Sequence, residues 1–235
     1  ATPDSGVMRI NLQDFTILSS WQSLGADNLE AAPLAVDDDI IYFGLTGFGI
    51  LLIDRHTSEI IDIWDADGSS GLPDTDVLSL HLDYYGGLIV GMEVPNSGGT
   101  SNQAMARWDG SDWEYFETDV PGGNNDPWKI NDIKSDADGV VAATNRGVCT
   151  WTGWTLIQSN IYEWDECISP MNTSARFSET FSIELVPLSS SLSENCCTRI
   201  LAGHNEGASL INRDVGLDVV ERWTAGDDTQ RARVV

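Results

Sequence analysis

Polar and apolar positions alternate in this chain over short segments, and the segments come in two recurring kinds. In the first, an alternating strand meets a turn and leaves as a nearly continuous apolar run. Val77 to Met92 is the clearest case, turning at Tyr84-Tyr85-Gly86-Gly87. Leu34 to Leu45 turns at Asp37-Asp38-Asp39, and Ile130 to Thr144 turns at Ala137-Asp138-Gly139. A stretched copy runs from Phe181 to Val186 and, after a polar insertion, from Thr198 to Gly203. Period-two alternation bounded by Gly, Asp and Asn reads as hairpins.

The second kind is shorter and more aromatic. Arg107 to Phe116 folds apolar flanks around Asp109-Gly110, and related segments run Met8 to Leu18, Leu52 to Trp64, Thr150 to Ile157 and Leu210 to Trp223. Two hairpins per repeat, recurring every 40 to 60 residues or about that, predict an all-β chain: a β-propeller of four-stranded antiparallel blades, inner strand first. The blades fall at about 33–66, 77–118, 130–157 and 181–224, with the outer strands of a preceding blade at 6–21. Residues 1–235 thus form a single propeller domain or a propeller segment, with four nearly whole blades plus part-blades. Gln230 to Val235 can begin another inner strand, so a ring closed by the termini and a segment of a larger ring are both open.

The apolar runs belong in the middle of a blade, covered on both sides. Ile40, Ile41, Phe43, Leu88, Val90, Val140, Val141, Ile200 and Leu201 are therefore expected to be buried. Gly44, Gly91 and Gly203, each following such a run, fit crowded points where blades approach. Ser20 to Ala32 is the best helical candidate and reads as an interblade loop.

Of the 235 residues, 41% are hydrophobic, enough for a packed core. The 12 Lys and Arg against 37 Asp and Glu give a net charge of -25, which argues against nucleic acid and against an anionic bilayer. No apolar run approaches the roughly 18 residues that cross a membrane, so no direct membrane insertion is expected. A protein or glycan partner, or self-assembly, remains.

Candidate chemistry is sparse. Asp65 and Asp67, and likewise Asp136 and Asp138, place two carboxylates beside a glycine, as a Ca²⁺ loop can begin. Neither continues to the downstream Glu of an EF-hand, and both sit where the repeat needs a turn, which Asp and Gly supply. No cofactor is otherwise implied. Trp64, Trp108, Trp113, Trp151, Trp154 and Trp223 recur at equivalent repeat positions and read as packing between blades. Trp128, Tyr162 and Trp164 fall outside the repeat and are the ligand-contact candidates. The nucleophile elbow Gly-x-Ser-x-Gly does not occur, and His56, His81 and His204 lack the context of a triad, so no catalytic residue is assigned.

Cys149, Cys167, Cys196 and Cys197 do not form zinc knuckles. Cys167 lies in one irregular excursion and Cys196-Cys197 close another, and only the strand Phe181 to Val186 separates them. The expected disulfide joins Cys167 to Cys196 or Cys197, with Cys149 left to the remaining vicinal cysteine or as a buried thiol. Disulfides and few basic residues point outside the cytoplasm.

Ile53 to Glu59, Asp67-Gly68-Ser69-Ser70-Gly71-Leu72-Pro73-Asp74-Thr75-Asp76-Val77 and Trp108-Asp109-Gly110-Ser111-Asp112-Trp113 resemble the repeats of two-component-regulator propellers. The resemblance covers roughly residues 33 to 157 well and the rest loosely. It implies an extracytoplasmic sensor or interaction propeller within a larger protein. The expected function is a non-enzymatic binding module of a surface or sensor protein. A carbohydrate-active lyase or glycosidase using carboxylates at a channel mouth, and a structural subunit of a cell-surface assembly, are the alternatives.

Overall fold

A computed structural model describes residues 7–21, 33–65, 70–93, 104–116, 129–152, 161–162, 166–168, 179–187, 198–213 and 217–224. Among these residues every regular element is a strand. In chain order they are β1 (Val7–Ile10), β2 (Ile17–Trp21), β3 (Leu34–Val36), β4 (Ile40–Leu45), β5 (Gly49–Asp54) and β6 (Ile60–Trp64). Next come β7 (Val77–Leu82), β8 (Leu88–Met92), β9 (Met105–Trp108), β10 (Trp113–Phe116), β11 (Ile130–Asp136), β12 (Gly139–Thr144) and β13 (Gly147–Thr152). The last are β14 (Ile161–Tyr162), β15 (Glu166–Ile168), β16 (Thr180–Pro187), β17 (Thr198–His204), β18 (Gly207–Asn212) and β19 (Asp218–Thr224).

The hairpins read from the sequence assemble into up-and-down antiparallel sheets. β3 to β6 form one four-stranded sheet and β16 to β19 another, each in simple chain order. β1 and β2 pair alone. β7 to β10 form a sheet that gains a fifth strand, β14, laid parallel on β10. The sheet of β11, β12 and β13 is completed by β15, not by the short hairpin expected at 150–157. Residues 153–160 of that hairpin, and most of the 20–32 loop, lie outside the described residues.

Sheets follow one another in sequence order, with their first strands β3, β7, β11 and β16 packed each beside the next. β7, β11 and β16 each carry a bulge at the same place, after Val77, Ile130 and Thr180. A bulge bends its strand and sharpens the local twist. Polar side chains clasp these strands: Ser79 Oγ donates to the Ile130 carbonyl at 3.1 Å, and Asn131 Nδ2 to the Thr180 carbonyl at 2.7 Å. Asp132 Oδ2 accepts from the Ile183 amide at 3.0 Å.

The core lies between sheets. Ile50, Leu52 and Tyr42 pack on Val77, Leu88 and Val90; Ile89, Met105 and Phe116 on Ile133, Val140 and Trp151; Val141 and Val148 on Ile183, Ile200 and Ile211. Phe43, Leu88, Val90, Val140, Val141 and Ile200 are buried as expected, whereas Ile40, Ile41 and Leu201 are only half-buried. The recurring tryptophans pack as read: Trp64, Trp108 and Trp113 meet pairwise at 5.2 to 5.6 Å between two sheets, and Trp151 lies 4.0 Å from Phe116. Trp223 instead stands largely exposed on β19, and Trp154 lies outside the described residues.

Candidate binding site at the Tyr84–Tyr85 tip

The turn between β7 and β8 carries two large exposed side chains on an unusually well-fixed base. Asp83 directs the turn. Its Oδ1 accepts from the Tyr85 amide at 2.7 Å and the Gly87 amide at 3.0 Å, while its own amide donates to the Gly87 carbonyl at 2.8 Å. Its Oδ2 accepts from Arg107 Nε on β9, and Arg107 NH1 donates at 2.7 Å to Glu114 Oε2 on β10. The Asp83 carboxylate is wholly buried and its two partners nearly so. Gly87 makes room: a Cβ there would stand 2.7 Å from Arg107 Cζ.

Three ions out of water are tolerable only if each is compensated, because an orphaned buried charge is expensive. Here the guanidinium bridges two carboxylates and the Asp83 carboxylate also takes two amides. The result is a stiff turn from which Tyr84 and Tyr85 project, 65% and 61% exposed. Their rings meet edge to face, centroids 5.2 Å apart and planes at 87°. Such a pair offers apolar area with little rotamer freedom to lose and a negative ring face for a cation or a sugar C–H.

The residues singled out from the sequence fare differently. Asp136 is a turn former: Oδ1 accepts from the Asp138 amide at 3.0 Å, and Oδ2 takes Arg213 NH1 at 2.6 Å. The Asp65 carbonyl accepts from Ser70 Oγ, and Asp67 lies outside the described residues. Among the described residues, no group of three or more His, Cys, Asp or Glu gathers to hold a metal ion. Asp37, Asp54 and Asp109 likewise spend carboxylate oxygens on turn amides. Those bonds hold the Asp54 and Asp109 carboxyls below the usual range. Tyr162 lies in β14, and Trp128 and Trp164 fall outside the described residues.

The expected cysteine pairing is corrected. Cys149 is bonded to Cys167, not Cys167 to Cys196 or Cys197. The reason is register: β13 and β15 pair antiparallel with Cys149 directly opposite Cys167, Cα atoms 4.0 Å apart. Cys196 and Cys197 lie outside the described residues.

Two histidines, His81 half-buried and His204 buried, hydrogen-bond to serines. Burial, and then the Lys134 charge, push His81 down to about 4, so it is neutral at pH 7; its Nε2 meets Ser135 Oγ at 2.9 Å. His204 Nδ1 accepts from the Glu206 amide at 3.3 Å, which leaves the ring proton on Nε2. Nε2 then donates to Ser209 Oγ at 3.0 Å, so His204 is not a base for that buried serine.

The described strands thus define a class: an all-β, propeller-like chain of successive antiparallel sheets with a rigid aromatic tip. No protein-family profile and no curated protein matches the sequence. Among solved structures, the chain is similar to the extracellular domain of a hybrid two-component system from B. thetaiotaomicron. The TM-score is 0.63 at 14% identity, covering 97% of this chain and 26% of that one. The extracellular domain of a second such system from the same organism gives 0.60 at 17% identity, covering 91% and 26%. YCF48 from Cyanidioschyzon merolae gives 0.50 at 11%, covering 87% and 62%. These likenesses concern the fold. The chain spans about a quarter of the length of the two extracellular domains, 26% of each.

Proposed function

We propose that this chain is a segment of an extracytoplasmic β-propeller that binds a partner without catalysis, and that the Tyr84–Tyr85 tip is its contact surface. The observation that carries the reading is the tip itself. Two exposed rings stand on a turn fixed by the buried Asp83–Arg107–Glu114 network, so binding would not have to order them first. The chain's charge of -25 favours a cationic protein partner, for which the ring faces supply cation–π contacts. The Cys149–Cys167 bridge favours an oxidising compartment. The fold-level likeness to extracellular domains of two-component systems agrees with a module of a larger surface or sensor protein. Against the enzymatic alternative stands the dispersal of carboxylates into turns at Asp37, Asp54, Asp109 and Asp136.

The test titrates an octalysine peptide and a neutral glucan oligosaccharide against the chain and against Tyr84→Ala/Tyr85→Ala. The expected result is peptide binding weakened at least tenfold in the variant, with unchanged thermal unfolding. Equal peptide affinity in both proteins overturns the tip as contact surface. Tip-dependent binding of the oligosaccharide alone replaces the protein partner with a glycan.

A further inference from the structure

The hairpin of β1 and β2 carries the wrong residues for its turn. The tip, Asn11 to Thr16, is a place for glycine and small polar side chains, yet Leu12 and Phe15 stand there 84% and 77% exposed. Phe15 also holds φ at 57°, a left-handed backbone that a bulky side chain resists. The turn is otherwise firmly made. The Asn11 amide donates to the Thr16 carbonyl at 2.9 Å, and the Phe15 amide to the Asn11 carbonyl at 2.8 Å. Asn11 Oδ1 accepts from the Gln13 amide at 2.9 Å, and Asp14 Oδ1 from the Thr16 amide at 3.1 Å and hydroxyl at 2.7 Å. Glycine at position 15 would make the same turn with less strain. What Phe15 adds is a ring held out in solvent.

The hairpin is fastened beside the turns of the next sheet. Arg9 Nη1 donates to the Arg55 carbonyl at 2.6 Å. Arg55 donates from its amide to the Asp39 carbonyl and from Nη1 to the Asp37 carbonyl, both at 2.8 Å. Asp14, Asp38 and Asp39 stay exposed around these contacts, Asp39 with His56 at 3.4 Å. The bonds from Thr16 hold the Asp14 carboxyl below its usual range, so it is charged at neutral pH. Pro33, just before β3, and Val77, which opens β7, both crowd Gly44, so β3 and β7 begin at one rim and turn at the other. The Leu12–Phe15 and Tyr84–Tyr85 tips therefore share a rim.

We propose that Leu12 and Phe15 form a second anchor on this rim, and that its partner is an amphipathic basic segment with apolar side chains for the two residues and Lys or Arg for the acidic turns beside them. The partner's charge rests on the binding reading above, whereas its apolar half rests on the strained, exposed Phe15. Residues kept in costly backbone regions cluster at contact sites, where the strain serves binding. An anchor already fixed on its turn is buried at little ordering cost. The neighbouring carboxylates favour a cationic occupant over an acidic one and repel an anionic bilayer.

The experiment titrates octalysine, and an amphipathic Leu–Lys peptide with the same number of lysines, against the chain, Leu12→Ser/Phe15→Ser and Phe15→Gly. The chain is expected to bind the Leu–Lys peptide at least tenfold more tightly than octalysine. The double variant should lose that gain and keep its octalysine affinity. Phe15→Gly should lose at least threefold in Leu–Lys affinity, while its Asn11 and Thr16 amides exchange no faster than in the parent. Equal affinity of the chain for both peptides overturns the proposal, as does a gain that survives in the double variant. Leu12- and Phe15-dependent binding to phosphatidylcholine vesicles, without the peptide gain, replaces the basic segment with a lipid surface. If the double variant exchanges faster at Asn11 and Thr16, so that the hairpin is lost, Phe15→Gly decides. The same peptides against Tyr84→Ala/Tyr85→Ala separate the two readings: a Leu–Lys gain that persists there supports the second anchor even where the tyrosine tip proves idle.

Discussion

Ile130 occupies the notch that Gly91 leaves: a side-chain carbon on Gly91 would stand 2.6 Å from Ile130 Cγ2. One sheet earlier, Gly44 leaves the same notch for Val77, 2.7 Å from such a carbon. Register puts Ala143 and Gly203 at the corresponding places in the next two sheets. A small residue late in the second strand thus admits the first residue of the next inner strand. Gly91→Val is expected to lose about 2 to 3 kcal/mol, since the added carbons would overlap the Ser79 hydroxyl and the branched Cβ of Ile130, which cannot swing aside. Urea unfolding checks it; a midpoint within error of the parent would remove the notch from the account of sheet packing.

Much of this was legible in the sequence. Asp-Gly and Gly-Gly turns between alternating runs located the hairpins, and of the recurring tryptophans Trp64, Trp108, Trp113 and Trp151 marked packing between sheets, whereas Trp223 is exposed. What escaped depends on tertiary register. β14 is two residues long and pairs in parallel with a strand 46 positions away, Tyr115 with Ile161, so no local pattern marks it. Cys149 meets Cys167 because β13 and β15 happen to align there, which spacing does not disclose. The Asp83–Arg107–Glu114 network was also missed, although one signal existed. Arg107 interrupts the apolar strand Met105-Ala106-Arg107-Trp108, and a charge in such a strand asks for buried partners.

Stability should fall on acidification through His81. Its folded pKa, about 4, lies below the ordinary 6.5, so between those values the unfolded chain binds more protons. Stability then rises with pH, and the contribution present above 6.5 is lost as pH falls toward 4, by at most about 3 kcal/mol. Asp132, raised chiefly by burial, acts in the opposite sense: its contribution is present at low pH and lost as pH rises through its folded value. His81→Gln is expected to flatten the urea midpoint between pH 4 and 6.5. An unchanged slope would mean His81 does not titrate against burial.

Arg107→Met should be among the most damaging single changes. It leaves Asp83 and Glu114 buried without their shared cation, a loss of about 3 to 5 kcal/mol. Adding Asp83→Asn and Glu114→Gln removes the stranded charges and is expected to restore part of that loss. Amide exchange at Tyr85 and Gly87 should quicken in Arg107→Met, because Asp83 then no longer holds the turn. Global destabilisation with those two amides unaffected would separate the network from the tip.

The disulfide offers the sharpest check on register. Mass mapping of a non-reduced digest is expected to show Cys149 linked to Cys167. A link from Cys167 to Cys196 or Cys197 would mean that β15 does not lie opposite β13. In the chain-entropy account, closing 18 residues contributes about 3 kcal/mol by restricting the unfolded chain. At this chain length, that corresponds to roughly 6 to 12 °C in Tm. Cys149→Ala/Cys167→Ala should show the shift, whereas changing Cys196 and Cys197 to Ser should not reproduce it. If all four cysteines alkylate without reductant, the bridge is absent in solution, β15 and β14 lose their tether, and the extracytoplasmic placement loses its covalent support.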